Sequence, residues 1–445
     1  MKRTESNILT LLLLIATVLW TGCTDDKAPA AVETADSAIR FAAAVEQPVT
    51  RAGAAGMMDY HLLASSGFGV YAFGYTDDYA SSQTPNLFCN AQVAYTGSTD
   101  PATNPENPVD LYLYPGNWSY VTESLPLKYW ERDETTRKVS FFAYSPYVSA
   151  GSGETGITAV SENVADDPKV NYTIAEQPSA CVDLLWGVKS TTGRPWTNAT
   201  LDETDGPVLL TFYHALSAIG FHVQAMVDAD NNLTDLGDEA DVAGLLGTDC
   251  KVTIKSLTLT CTSATKFRKN ARLNLNNATA YTPSWADFSA EVAALVLDGG
   301  AGHDDIATAL KDQGDMSPSA MTNTGVMATA NQQLVIPTSG GKEQFFMVIP
   351  DGDAKNYTVT LEYYVTYKTS ADTYKRLDYT GVNAGTVNIS DWTLEGNTKY
   401  YLNFVIGLKT LRLDVTAVDW ANVEQPVAVT IERGTSASES LARRR

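Results

Sequence analysis

The chain has 445 residues and a formal net charge of −21, with 52 Asp and Glu against 31 Lys and Arg. That balance excludes DNA or RNA as a partner, because neutralising phosphates takes clustered cations, and an acidic surface mainly serves solubility. Single hydrophobic cores stop growing beyond about 250–300 residues, so a chain of this length predicts two domains or more.

The N-terminus reads as an export signal. Lys2 and Arg3 form a short positive region, and Ile8 to Trp20 is apolar apart from Thr10 and Thr17. Those thirteen residues are too few to span a bilayer as a helix, which takes about 20, and suit a signal peptide over residues 1–22. Trp20-Thr21-Gly22-Cys23 resembles the lipobox of bacterial lipoproteins, in which the thiol of Cys23 receives a diacylglycerol. Trp20 departs from that pattern, which prefers an aliphatic residue. The alternative is an ordinary secretory signal with an incidental Cys, and it too removes residues 1–22 from the fold. The acidic Asp25-Asp26 step after Cys23 is similar to signals that send lipoproteins to the outer leaflet of the outer membrane. Residues 23–38, rich in Ala, Asp and Thr, read as a flexible tether.

From there β-strand signals recur with Gly, Asp and Asn turns. Ile39, Phe41, Ala43 and Val45 share one face of a first strand, and Gly67 to Tyr75 forms a second. Residues 96–110 form a loop, followed by strands at Val139 to Tyr144 and Val170 to Ile174. The polar stretch Thr191 to Gly206 marks a domain boundary, dividing residues 39–200 from 201–432. Beyond it come strands at Val208 to Val223, Val252 to Cys261, Leu334 to Ile336, Phe345 to Ile349, Tyr357 to Tyr367, Lys399 to Gly407 and Leu411 to Val418. Val, Thr, Tyr and Phe dominate these runs, as a pleated, half-buried surface prefers. Trp285, Phe288, Val292 and Leu295 fall at three- to four-residue spacing and predict a helix over Trp285 to Leu297. Asp298 to Thr329 is a long loop with a short helix at Asp304 to Lys311, and residues 433–445 are a polar tail. The whole predicts an all-β fold of antiparallel sandwiches.

Chemistry is sparse. No nucleophile elbow, phosphate loop or dinucleotide fingerprint occurs, so the sequence points to neither an enzyme nor a cofactor site. Cys89, Cys181, Cys250 and Cys261 lack metal-ligand spacing and read as buried free thiols, although a disulfide stays open outside the cytoplasm. His214 and His222, eight residues apart on one apparent strand, would lie about 27 Å apart, too far to share a metal. His214 is expected to be packed or hydrogen-bonded. Asp228 to Glu239 resembles a calcium loop but has Leu233 where the sharp turn needs Gly, which leaves a solvated acidic turn, or a looser site there or at Asp304-Asp305. Tyr112, Tyr114, Trp118 and Tyr120 are either sugar-stacking rings or core residues of a sandwich.

Several phrases, taken in order, resemble the fimbrillin family of type V pilus subunits. They are Ile39-Arg40-Phe41 with Val49-Thr50-Arg51-Ala52, Tyr129-Trp130, and Val139-Ser140-Phe141-Phe142-Ala143-Tyr144-Ser145-Pro146-Tyr147. Asp183-Leu184-Leu185-Trp186-Gly187, Leu210 to Ser217, Lys399-Tyr400-Tyr401 and Val418-Asp419-Trp420 follow. The resemblance implies two tandem transthyretin-like antiparallel β-sandwiches and assembly by strand exchange. An Arg-specific protease would cut between Arg51 and Ala52, next to a small-residue stretch able to enter a cleft, and the first strand would leave its groove for a neighbour's strand. The plain alternative for Arg51 is a surface loop residue. Val45-Glu46-Gln47-Pro48-Val49 recurs as Val423-Glu424-Gln425-Pro426-Val427, and Val427, Val429 and Ile431 then alternate as a donor strand would; the same residues also suit an ordinary last strand. The expected partners are other fimbrial subunits, the outer membrane through the lipid, and a host or bacterial surface ligand. The competing reading is a surface lipoprotein that binds glycans beside an outer-membrane transporter.

Overall fold

The computed structural model describes residues 38–45, 57–97, 117–130, 137–149, 155–200, 206–225, 250–298, 327–328, 333–336, 338–339, 342–343, 345–370, 373–406, 411–419 and 431–432. The first half holds β1 (Phe41–Val45), α1 (Tyr60–Ser66), β2 (Phe68–Tyr75), β3 (Phe88–Tyr95), β4 (Trp118–Ser119), β5 (Lys138–Ser145), β6 (Gly156–Val160) and β7 (Lys169–Thr173). There follow β8 (Leu185–Val188), β9 (Trp196–Ala199), β10 (Val208–His214), β11 (Ser217–Ala225), β12 (Cys250–Cys261), β13 (Phe267–Asn274), β14 (Ser284–Val292) and β15 (Ala294–Asp298). Short β16 (Met327–Ala328), β17 (Gln333–Ile336), β18 (Thr338–Ser339), β19 (Lys342–Glu343) and β20 (Phe346–Val348) come next. The last are β21 (Lys355–Ser370), β22 (Thr373–Tyr379), β23 (Gly385–Trp392), β24 (Thr398–Ile406), β25 (Leu411–Asp419) and β26 (Ile431–Glu432).

These strands form an all-β architecture, in which α1 is the sole α-helix among the described residues. Asp59 caps it, its carboxylate accepting the Leu62 N–H at 2.8 Å, and Gly67 ends it with a φ of 66°. An eight-stranded sheet runs β1-β10-β8-β5-β2-β3-β4, with β9 also paired to β5. β2 and β5 in its middle are buried on both faces, which explains their near-continuous apolar runs. Two six-stranded sheets follow, β17-β11-β24-β25-β26 with β20 on β11, and β15-β12-β21-β22 with β16 on β12 and β23 on β21. Pairing is antiparallel among the described strands except for β1 on β10 and β11 on β24, which run parallel.

The sheets enclose two cores. One draws only on residues between Ile39 and Phe212 and is rich in aromatics such as Phe41, Phe68, Phe88 and Phe141. The other mixes both halves of the chain, joining Tyr71, Tyr144 and Trp186 to Leu257, Tyr357 and Leu402. A four-stranded sheet, β14-β13-β7-β6, stitches the halves through the pairing of β7 with β13. β9 lies inside the polar stretch from Thr191 to Gly206, and β10, beyond that stretch, belongs to the eight-stranded sheet. The chain crosses to the next sheet at Ala215-Leu216.

Three sequence expectations are corrected. Trp285 to Leu297 is not a helix but β14 and β15. Asp287 has a φ of 53°, and between Ala286 and Ser289 the ladder spends three residues against two on β13. That bulge turns the strand's two-residue spacing into three between Trp285 and Phe288, and so imitates a helical period. The run from Val208 to Val223 is two strands on different sheets. Cys89 is exposed, whereas Cys181 and Cys261 are buried free thiols.

Candidate functional site

β1 is an edge strand seated by its side chains. Ile39 and Ala43 are fully buried and Phe41 is 1 % exposed. Rings of Phe68, Phe88, Tyr120 and Phe141 surround Phe41 with centroids 5.7–6.0 Å away in edge-on geometries. This is the arrangement the aromatic quadrupole favours. The backbone is held as closely. Register pairs Phe41 with Val208 and continues to Val45 with Phe212, and the Val208 N–H donates to the Arg40 carbonyl at 2.8 Å. On the far side the Ile39 N–H reaches the Lys128 carbonyl (2.9 Å), and Tyr120 Oη donates to the Ile39 carbonyl (3.0 Å). Burial raises the Tyr120 pKa, which keeps the phenol protonated as that donor. Beyond Val45 the next described residues are Met57 and Met58, so Arg51 and Ala52 lie outside the described residues, as does Cys23.

A buried pair pins the chain at Met58. Asp183 and His214 are both fully buried, and His214 Nδ1 lies 2.6 Å from Asp183 Oδ2. The same oxygen accepts the Met58 N–H at 2.9 Å, while Oδ1 accepts the Leu184 N–H at 2.8 Å. The backbone N–H of His214 donates to Asn397 Oδ1 at 3.2 Å, and Ser217 Oγ donates to the Glu395 carbonyl at 2.7 Å. Three segments distant in sequence therefore meet at one carboxylate and one imidazole, and a fourth holds the backbone of His214. Sequence reasoning placed His214 in a packed or hydrogen-bonded role and missed Asp183 as its partner. The only hint was that both sit in short motif phrases, because a separation of 31 residues carries no pattern.

The other singled-out residues scatter. His222 Nδ1 lies 3.0 Å from Asn403 Oδ1, and its ring stacks on Tyr401 at 4.5 Å. Trp118 and Tyr120 are core residues, 5 % and 4 % exposed, while Tyr112 and Tyr114 lie outside the described residues. The Asp228 to Glu239 loop, Asp304-Asp305 and the helix at Asp304 to Lys311 lie outside them too. Of the alternating C-terminal residues, Ile431 pairs with Leu413 in β25, and Val427 and Val429 are outside the described residues.

A family model described as fimbrillin-like matches residues 50–420. The chain belongs to the fimbrillin-like family. Among solved structures, this fimbrillin-like protein is similar to a fimbrial protein from Bacteroides vulgatus, with a TM-score of 0.58 and 17 % identity over 86 % of this chain and 99 % of that one. That likeness shows the fold. More distant are a proposed cell adhesion protein from Bacteroides ovatus (TM-score 0.42, 14 % identity, 87 % and 99 % covered) and the fimbrial anchor protein Mfa2 from Porphyromonas gingivalis (TM-score 0.28, 10 % identity, 86 % and 98 % covered). No curated protein matches the chain.

Proposed function

We propose that this fimbrillin-like protein is a fimbrial subunit, exported as a lipoprotein through Cys23 and assembled at the cell surface by exchange of its first strand. The observation that carries the reading is the seat of β1: a terminal edge strand whose Ile39, Phe41 and Ala43 plug an aromatic core. Cleavage between Arg51 and Ala52 separates that plug from a body in which Asp183 holds the Met58 N–H. Arg40, although exposed, is a poor substrate, because it lies between two buried residues in hydrogen-bonded backbone. Once β1 leaves, β10 presents unpaired N–H and C=O groups beside an open apolar slot, a state that favours capture of a strand from a neighbour.

The alternation of Val427, Val429 and Ile431 matches the spacing of Ile39, Phe41 and Ala43, which makes 427–432 the donor segment in this account. The two halves of the body then act as tandem transthyretin-like sandwiches strung along a fibre. The lipid on Cys23 serves as a temporary tether to the outer membrane, lost with the segment that carries it. Mass spectrometry of the cell-associated protein tests the processing. Assembled material is expected to begin at Ala52 and to lack lipid, with acylated Cys23 confined to the full-length form. Polymers that retain Cys23 and an intact Arg51-Ala52 bond would overturn it.

A further inference from the structure

A cleft of about 820 Å³ opens in the C-terminal half, between the 281–288 segment and the 393–398 loop, and none of its lining residues belongs to the seat of β1. Its volume falls within the ~300–1,000 Å³ range of small-ligand sites. The lining is not a random mixture. Tyr281, Trp285 and Phe288 supply three aromatic rings, and Asp351, Glu395 and Asn397 supply carboxylate and amide groups.

The rings are held rigid. Tyr281 is 44 % exposed, yet its Oη donates to the Ser190 carbonyl at 2.6 Å and its N–H to the Gly193 carbonyl at 2.9 Å. Its ring lies on Gly193, where an added Cβ would come within 2.6 Å of it, and packs on Tyr213 at 5.4 Å. Tyr281 itself has a φ of 56°, a left-handed backbone that is an outlier for a bulky residue, and Asn397 across the cleft has 57°. Such a backbone in a Tyr persists only where the surroundings enforce it. The indole N–H of Trp285 is spent on the Ala215 carbonyl at 3.0 Å, so what the half-buried ring offers the cleft is apolar surface. The guanidinium of Arg268 lies 5.0 Å from the Phe288 ring and its Nε bonds Asp351 Oδ2 at 2.8 Å, which orients that carboxylate.

Fixed aromatic faces beside the Glu395 carboxylate and the Asn397 amide, whose Oδ1 also accepts the His214 N–H, suit a ligand with one apolar C–H face and a rim of hydroxyls. Asp351 is paired with Arg268 and Lys355, which leaves the exposed Glu395 carboxylate, on a chain of net charge −21, to disfavour sulfated, sialylated or phosphorylated ligands. The polar rim disfavours a purely aliphatic one. We propose that this cleft binds a neutral saccharide, stacked on Tyr281 and hydrogen-bonded by Glu395 and Asn397. The cleft and the seat of β1 share no residue, and their one link is the hydrogen bond from the His214 N–H, at the end of β10, to Asn397.

The test uses the full purified chain on a printed array of neutral, sialylated and sulfated oligosaccharides, followed by calorimetric titration of the strongest neutral binder. Tyr281→Ala is expected to weaken binding about tenfold or more, from the loss of one stacked ring. Tyr281→Phe, which keeps the ring, retains most of the affinity, and Glu395→Gln weakens it. Tyr129→Ala, removing another exposed ring outside the cleft, leaves binding unchanged. Absence of any neutral binder, preference for sialylated or sulfated glycans, capture of peptides only, or binding that survives both Tyr281→Ala and Glu395→Gln would overturn the proposal. If Tyr281→Ala fails to fold, Tyr281→Phe and Glu395→Gln decide it.

Discussion

Replacing Phe41 by Ala probes how firmly the first strand is seated. Its ring is 1 % exposed and edge-packed against four aromatic rings, so truncation leaves a ring-sized void in a core that cannot easily collapse. Phe→Ala changes in such sites cost about 3–5 kcal/mol, a large share of the ~5–15 kcal/mol that stabilises a typical domain. Urea titration followed by tryptophan fluorescence reads the loss, since Trp118, Trp130 and Trp196 belong to the same core. Ala44→Ser, at the half-buried position that faces away from Phe41, is expected to change stability by about 0.5 kcal/mol or less. A second consequence follows for the cleaved protein. With Phe41 truncated, the severed strand leaves faster, so polymer appears sooner after cleavage. A Phe41→Ala protein within ~1 kcal/mol of wild type would refute the idea that side-chain burial holds β1 in place.

Five further outcomes follow from the same geometry. His214→Ala leaves the Asp183 carboxylate buried with a partner missing and should destabilise the chain by about 3–5 kcal/mol in denaturant titration. Asp183→Ala should additionally raise hydrogen exchange at the Met58 amide, which that carboxylate accepts. Native maleimide labelling mapped by mass spectrometry should modify Cys89 and spare Cys181 and Cys261 until the chain is unfolded. Because partial burial, with Glu162 nearby, raises the Cys89 pKa, its labelling rate should keep climbing with pH past the point where an ordinary thiol levels off. Gly69→Ala, whose Cβ would come within 2.4 Å of the Tyr144 ring, should cost ~1–3 kcal/mol by the same titration.

The fold class was legible because strand propensity, turn residues and length all agreed, and the motif phrases ran in the family's order. Legibility failed where the chain breaks its own period. The bulge at Asp287 gave Trp285 and Phe288 a helical spacing inside a strand. Likewise, no sequence feature distinguishes one continuous strand over Val208 to Val223 from two strands that change sheets at Ala215-Leu216. Parallel pairing of β1 with β10 is equally silent, since burial of Phe41 needs the same alternation whichever way the neighbour runs. The Asp183–His214 contact was unreadable because long-range polar pairs leave no periodicity. Nor did the cleft announce itself: Tyr281, Asp351 and Asn397 come from three separate segments, and only the fold brings them together.

Controlled Arg-specific digestion of the purified precursor tests strand exchange most directly, run beside an Arg51→Ala variant and read on unboiled gels. The account predicts that wild type is cut before Ala52 and gives laddered oligomers. A synthetic peptide of residues 38–45 added in excess should reoccupy the seat of β1 and suppress the ladder, and Arg51→Ala should stay monomeric. A cut protein that loses β1 yet remains monomeric at high concentration, or a ladder of equal extent from Arg51→Ala, would contradict it.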